Sequence, residues 1–210
     1  MTLHLFATAA KGTEGALRDE LRELRFRGVR ADRGGVHLEG DLGEALRAGL
    51  WSRIAVRVLV EVARFPCPDG EALYDGASRV DWNAWLDPDR TLAVRAASRG
   101  SDLHHTQFIA QRTKDAIVDR IRDRTGARPD VDRDAPDVLL FVHVVKDEAT
   151  LYADASGASL HQRGYRPRGS SEGAPLKETL AAAMLRLSQW DRRSPLCDPM
   201  CGTGTIGVEA

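Results

Sequence analysis

The chain closes on PLCDPMCGTGTIGVEA, residues 195–210, where a short apolar segment runs into an acidic residue and a glycine-rich turn. Its first residues are typical of a buried strand, which Asp198 and Pro199 end. The glycines behind them allow a ligand to approach the main chain closely. A helix that starts after such a turn directs its free N–H groups at whatever lies there. This stretch therefore predicts a strand, a turn that contacts a small molecule, and a helix.

The identity of that small molecule is not fixed by the glycines. Gly202, Gly204 and Gly207 match the G-x-G-x-x-G pattern of dinucleotide sites, a pattern that is weak by itself. Asp198, followed by Pro-x-Cys, disfavours a pyrophosphate and suits a ligand with a cationic group, such as the ammonium of S-adenosylmethionine. A P-loop is excluded because no Gly-Lys-Ser/Thr follows the turn. A tight turn that binds no ligand remains an alternative.

Composition indicates a soluble, cytoplasmic globular protein. The 210 residues are 42% hydrophobic and 29% charged, with a net charge of -1. No apolar run approaches the roughly 18 residues that span a bilayer, so we expect no membrane association. An odd count of three cysteines fits a reducing compartment. Cys197 and Cys201 lack a second Cys/His pair, so we predict no metal site.

The first 65 residues predict a ferredoxin-like domain, 1–65. Residues 3–10 are typical of a strand, and 13–26 of a helix with Thr13 as its N-cap. A hairpin about the Gly34-Gly35 turn follows, then a helix from Asp41 and a β-branched strand over 53–65. The order β-α-β-β-α-β is that of a ferredoxin-like unit.

A second mixed α/β domain is predicted over 66–160, after the break at PCPDG (66–70). It contains a strand over 91–100, a helix near 106–125 and a hairpin about Lys146. The apolar side of the helix is expected to comprise Phe108, Ile109, Ala116, Ile117 and Ile121.

A Gly/Ser/Pro-containing linker is predicted over 161–175, and an Ala-rich helix follows it. In that helix, four apolar residues are expected to share one face: Leu176, Leu180, Met184 and Leu187. We expect this face to pack on a sheet in a larger domain. Self-association through an uncovered 176–190 helix is an alternative.

Two motifs carry a resemblance to a known family. The stretch DPMCGTGTIGVEA resembles the first S-adenosylmethionine-binding motif of class I RNA methyltransferases, specifically the guanine-N2 group that acts on large-subunit rRNA and tRNA. The stretch SLHQRGYRP…APLKETLAAAML resembles the segment that joins the THUMP RNA-binding domain to the methyltransferase domain in that group. The resemblance implies an α+β fold: a ferredoxin-like domain, a THUMP domain, and over 176–210 the first helix and strand of a truncated Rossmann-like methyltransferase domain.

The resemblance implies S-adenosylmethionine as cofactor, at a site that is incomplete in the 210 residues, so that we expect poor affinity. The matching positions around the methionine end are Asp198, Pro199, Cys201, Gly202 and Gly204, with Thr205 at the helix N-terminus. Lys177 and Glu178 match a stretch that packs beside the cofactor, although a solvated first helical turn would explain them as well.

No catalytic residue is predicted. The catalytic tetrapeptide of the family, Asn/Asp-Pro-Pro-aromatic, does not occur in the 210 residues, and neither does the ribose-binding acid that would follow a second strand. We therefore expect the N-terminal portion of a longer enzyme, inactive by itself.

Structured RNA, ribosomal or transfer, is the partner that the resemblance implies. Residues expected to contact it are Arg99, Arg112, Lys114, Arg163, Tyr165, Arg166 and Arg168. Arginine binds phosphate in a bidentate way, and tyrosine can stack on a base. The alternative for each is an ordinary solvated surface. The near-neutral net charge favours recognition of RNA shape, with a measurable salt dependence.

Two other functions stay open at this point. The chain could be a noncatalytic THUMP RNA-binding module, and a less favoured possibility is a fragment of a dinucleotide-dependent oxidoreductase. The sequence leaves the target RNA and base undetermined.

Overall fold

The computed structural model describes residues 2–165 and 176–210. Two of the predicted RNA contacts, Arg166 and Arg168, lie outside the described residues. The chain divides into two compact units, the first made of Met1–Leu59 with Ala158–Ala210, the second of Val60–Gly157. The domain boundaries given above stay predictions.

The elements follow one another in mixed α/β order. They are β1 (Leu3–Thr8), α1 (Glu14–Glu23), β2 (Arg27–Asp32), β3 (Gly35–Gly40), α2 (Leu42–Trp51), β4 (Arg57–Pro66), α3 (Gly70–Ser78), β5 (Leu92–Arg99), α4 (Thr106–Thr125), β6 (Val138–Val145), β7 (Glu148–Asp154), α5 (Glu178–Leu187) and α6 (Thr205–Glu209). A short 3-10 helix covers Trp82–Ala84. No described helix combines the length and the apolar character that crossing a membrane requires.

The predicted β-α-β-β-α-β order of the N-terminal part is confirmed, with strands in the order β2-β3-β1-β4. The first unit contains β4 only as far as Leu59, and the rest of β4 belongs to the second unit. β1 and β3 pair antiparallel from Leu3 opposite Gly40 to Thr8 opposite Gly35. Leu17 and Leu21 lie one turn apart on α1, so both are buried beneath it. Asp41 caps α2, because its carboxylate accepts the Glu44 N–H at 2.9 Å.

Thr13 precedes α1 as predicted but does not cap it through its side chain. Its hydroxyl donates instead to the carbonyl of Ala10 at 2.8 Å. Thr13 is therefore the N-cap residue by position, as predicted, but its hydroxyl is used for the turn before the helix.

The second unit has strands in the order β4-β7-β6-β5, with β5 and β6 parallel and β6 and β7 antiparallel. Trp82 is buried in its core, and its indole N–H donates to the Ala77 carbonyl at 2.7 Å. Four of the five residues predicted for the apolar side of α4 are buried there, but Phe108 is 46% exposed. Phe108 directly precedes the buried Ile109, and adjacent helix residues point about 100° apart. Ile109 faces the core, whereas the Phe108 ring lies over Gly70 of α3, where an added Cβ would meet it at 2.8 Å.

The apolar stripe of α5 is covered only in part, which agrees with the expectation of an uncovered helix. Met184 and Leu187 are 44% and 55% exposed, whereas Leu176 and Leu180 are half-buried. The residues buried instead are Glu178, Thr179, Ala181, Ala182 and Ala183. α5 packs on α1 and α6, and small side chains allow helices to approach closely.

Residues 195–199 do not form the predicted strand. Leu196 is 42% exposed and Cys197 is exposed as well. A strand must pair its backbone N–H and C=O groups with a neighbour, and α5 and α6, which flank this segment, supply none.

Candidate functional site

The glycine-rich turn leads directly into α6. Gly202 and Gly204 have φ angles of +52° and +78°, in the left-handed region that glycine adopts without strain. The Gly204 N–H closes the turn on the Cys201 carbonyl at 2.7 Å, and Thr205 begins the helix as a buried residue. The predicted turn and helix are therefore present, each at the predicted glycines.

Asp198 stands at the start of this turn. One of its carboxylate oxygens accepts the Met200 N–H at 3.1 Å, and the side chain remains half-buried. Pro199 and Cys201 are exposed on either side of Met200, which is itself 89% exposed. The outer edge of the turn is thus open, and one carboxylate oxygen is committed to holding its backbone.

Lys177 and Glu178 start α5 in different environments. Lys177 is exposed, and its carbonyl accepts the first N–H groups of the helix, from Leu180 and Ala181 at 3.0 Å each. Glu178 is only 5% exposed. The alternative of a solvated first helical turn therefore holds for Lys177 but not for Glu178.

Described residues of the first unit line two sizeable cavities, both beside α5. One of about 720 Å³ lies between α1, α5 and the chain end, with Asp19, Glu23, Arg186 and Trp190 in its wall. The other, of about 600 Å³, is lined by Lys177 and by the end of β1 from Thr8 to Ala10. Residues 198–205 line neither of these two cavities.

A buried carboxylate, Glu209, ends α6. Its side chain is 2% exposed and accepts two guanidinium groups on Oε2, Arg163 Nη1 at 2.7 Å and Arg53 Nη2 at 3.3 Å. The Tyr165 hydroxyl donates to Oε1 at 3.2 Å. Arg163 also donates to the Arg53 carbonyl. Two residues predicted to contact RNA, Arg163 and Tyr165, are thus engaged with this carboxylate.

A second buried carboxylate, Glu20 of α1, holds the loop that presents Arg53. It accepts the Ser52 hydroxyl at 2.6 Å and the Arg53 N–H at 3.1 Å. The Ile54 N–H adds a third contact at 3.3 Å. We call residues 52–56 the hinge loop. Its carbonyl at Val56 also accepts the Leu160 N–H at 2.9 Å.

The predicted RNA contacts of the second unit fall into two groups. Arg112 donates to the Gly70 carbonyl at 3.2 Å and lies 4.3 Å above the Tyr74 ring, and Lys114 pairs with Asp115. Arg112 therefore helps to pack α4 on α3, whereas Lys114 makes an ion pair within α4. Arg99, at the end of β5, is exposed.

Metal chemistry gains no support from the part of the chain that the structure describes. Within residues 2–165 and 176–210, no three side chains of His, Cys, Asp or Glu cluster as a metal site would require. The three cysteines are all free.

Comparison with family models accounts for nearly every part of the chain. The RlmL ferredoxin-like domain matches residues 4–59, the THUMP domain matches 68–154, and the RMKL-like methyltransferase domain matches 163–210. The chain contains these three domain types, in this order. The matches confirm the expected ferredoxin-like, THUMP and methyltransferase domain types, and the structure confirms the mixed α/β fold class.

A curated relative matches the whole arrangement. Ribosomal RNA large subunit methyltransferase K/L of Syntrophotalea carbinolica is 46% identical over 212 residues, which cover 99% of this chain and 30% of that protein. The THUMP-containing chain thus spans about 30% of the length of the relative it matches.

Solved structures share both the ferredoxin-like and the THUMP parts. A predicted N6-adenine-specific DNA methylase from Listeria monocytogenes has a TM-score of 0.86 and 36% identity, covering 100% of this chain and 54% of that one. SMU.472 complexed with SAH has a TM-score of 0.84 and 34% identity, covering 99% and 54%.

The residues that sequence reasoning missed are Glu209, Arg53 and Glu20. Glu209 is 156 positions from Arg53 and 46 from Arg163. No local spacing could have linked them. The one available signal was an acidic residue inside an otherwise apolar and small-residue helix, TIGVE.

Proposed function

We propose that the chain serves in S-adenosylmethionine-dependent methylation of RNA. In this proposal it supplies the RNA-binding part and the first turn of the cofactor site. The observation that carries the proposal is the order of the three matched domains, which is shared with a relative named as a ribosomal RNA methyltransferase over 99% of this chain.

The glycine turn is the proposed cofactor contact. Its open edge presents Asp198, whose half-buried carboxylate suits the ammonium group of S-adenosylmethionine. The proposed set around it is Pro199, Cys201, Gly202, Gly204 and Thr205, with Lys177 and Glu178 at the start of α5. The complex of SMU.472 with SAH, the demethylated cofactor, supports this choice over a dinucleotide.

The RNA substrate is proposed to meet the THUMP domain. Arg99 is the predicted contact whose exposure favours it most, whereas Arg112 packs α4 on α3 and Lys114 is paired with Asp115. Transfer to guanine N2 of ribosomal or transfer RNA is the finer proposal and rests on the sequence resemblance. Methylation of adenine N6 in DNA, the target for which the Listeria methylase is named, would contradict this finer proposal and replace it. A cytoplasmic location belongs to the same proposal and is supported by the free cysteines.

The decisive experiment is calorimetric titration of the 210-residue chain with SAH and, separately, with NAD. We expect saturable heat with SAH and none with NAD. Asp198→Asn keeps the size of the side chain but removes its charge, so it should weaken SAH binding by about tenfold. Binding of NAD in place of SAH would contradict the proposal and favour an oxidoreductase.

A radiolabel assay forms the second arm of that experiment. With labelled S-adenosylmethionine and ribosomal RNA, transfer RNA or DNA, we expect the 210 residues to transfer no methyl group, because they lack Asn/Asp-Pro-Pro-aromatic. Incorporation of label would contradict this expectation, and the labelled nucleic acid would then identify the substrate. Self-association through α5 can be checked on the same sample by light scattering, since Met184 and Leu187 are exposed there.

A further inference from the structure

Glu209 lies only five positions beyond Gly204, at the opposite end of α6 from the glycine turn. Its carboxylate is buried, and its three donors come from two other segments, Arg53 from the hinge loop and Arg163 and Tyr165 from the stretch after residue 158. α6 is therefore attached at its far end by charge, independently of the turn in front of it.

The attachment is specific because each partner is itself fixed. The hinge loop is held by three hydrogen bonds to Glu20 of α1, and Arg163 spans from Glu209 to the Arg53 carbonyl. A buried carboxylate that loses its guanidinium partners is strongly destabilised. The carboxylate and both arginines therefore favour a single position of α6.

The turn itself has little to hold it. Residues 201–203 are exposed, and the hydrogen bonds described for the turn are local, from Gly204 to Cys201 and from Met200 to Asp198. Its position consequently depends on the helix behind it.

We infer that Glu209 is a positioning residue for the cofactor turn. By pairing with Arg53 and Arg163 it fixes α6 on the ferredoxin-like part of the first unit, and thereby fixes Gly202 and Gly204. Arg163 and Tyr165 act through this carboxylate and not on RNA. The inference rests on the proposed function, which makes the turn a cofactor site.

The test compares two variants that each remove one carboxylate charge from an ion pair in the first unit. Glu209→Gln removes the buried charge. Glu23→Gln, the matched control, breaks the pair that Glu23 makes with Arg186 between α1 and α5, where Glu23 is exposed. Hydrogen–deuterium exchange of residues 200–208 reports on the turn without any ligand, while SAH and RNA titrations report on the two binding functions.

We expect Glu209→Gln to accelerate exchange in 200–208 and to weaken SAH binding, each by about tenfold, because local opening becomes easier. RNA affinity should stay within about twofold, and Glu23→Gln should leave all three readouts within about twofold. Unchanged exchange in Glu209→Gln, or equal acceleration in both variants, would overturn the inference.

A milder variant covers the case in which Glu209→Gln does not fold. Tyr165→Phe removes one hydroxyl and keeps every charge, and we expect about threefold faster exchange over 200–208. No change there would count against the inference. If the unaltered chain binds no SAH, the proposed cofactor fails, and the exchange data still decide whether Glu209 positions the turn.

Discussion

At the scale of single residues, Cys67 has the environment of an unreactive thiol. It is fully buried, its Sγ lies 3.7 Å from the Asp69 carbonyl, and its main-chain N–H donates to the Asp147 carbonyl. Burial raises the pKa of the thiol to about 11, and the nearby carboxylates of Asp69 and Asp147 act in the same direction. Because the thiolate is the reactive form, little of it exists at neutral pH.

This difference in environment predicts two classes of thiol. At pH 8, a pKa of about 11 leaves roughly one Cys67 thiol in a thousand ionised, whereas Cys197 and Cys201 are exposed. We expect a thiol-specific chromogenic reagent to modify two cysteines rapidly and the third only on unfolding. Cys67→Ala should abolish the slow phase and keep both fast ones. Three equally rapid reactions in the native chain would contradict the burial of Cys67.

At the scale of elements, two helical glycines have opposite surroundings. A Cβ added at Gly76 of α3 would lie 2.3 Å from the Phe65 ring, whereas one added at Gly49 of α2 would meet nothing within 4 Å. Gly76→Ala should lower the free energy of unfolding by about 1–3 kcal/mol through overpacking. Gly49→Ala should raise it by about 0.5–1 kcal/mol, since glycine weakens a helix interior. Urea denaturation measures both, and a neutral Gly76→Ala would show that Phe65 has room to move.

The helices and strands also show how much of the fold the sequence could predict. Periodicity located α4 and four residues of its buried face, because a helix that covers a core repeats its apolar residues. It also gave the apolar stripe of α5, where Met184 and Leu187 are exposed as expected for an uncovered face, but it did not show that alanines form the buried face. It failed for 195–199, since apolar residues form a strand only beside another strand.

The candidate site likewise contains features that the sequence could predict and others that it could not. The turn at Gly202 and Gly204 was visible in the sequence, because a positive φ angle imposes a local requirement for glycine. The role of Glu209 was not visible, because its burial depends on Arg53 and Arg163, which only the tertiary fold brings to it. Arg163 was predicted to bind RNA for the same reason, since a sequence does not show which arginines already have a partner.

At the scale of the whole molecule, the net charge of -1 limits how RNA can be bound. Many arginines are paired internally, such as Arg124 with Asp81 at 2.6 Å and Arg64 with Glu61 at 2.9 Å. A cation that already pairs with a carboxylate contributes less to phosphate binding, so affinity for the proposed RNA should fall with salt but less steeply than for a basic protein.

Arg99 tests this expectation. We would measure RNA affinity by fluorescence anisotropy at increasing salt. Arg99→Gln should reduce the slope of log K, the association constant, against log salt by about the contribution of one phosphate contact. Arg124→Gln, which removes a paired arginine from the same unit, should leave the slope unchanged. An affinity that does not depend on salt would remove the arginines from the RNA-binding proposal.

The hinge loop also limits which changes the chain can accept during evolution. Arg53 uses three different groups, its N–H toward Glu20, its carbonyl toward Arg163 and its side chain toward Glu209. Two of these three are main-chain groups that every residue except proline retains. A substitution at 53 therefore removes one link, but an inserted or deleted residue shifts all of them at once. The loop is constrained in its length more than in its composition, so insertions and deletions should be rarer among functional variants there than substitutions.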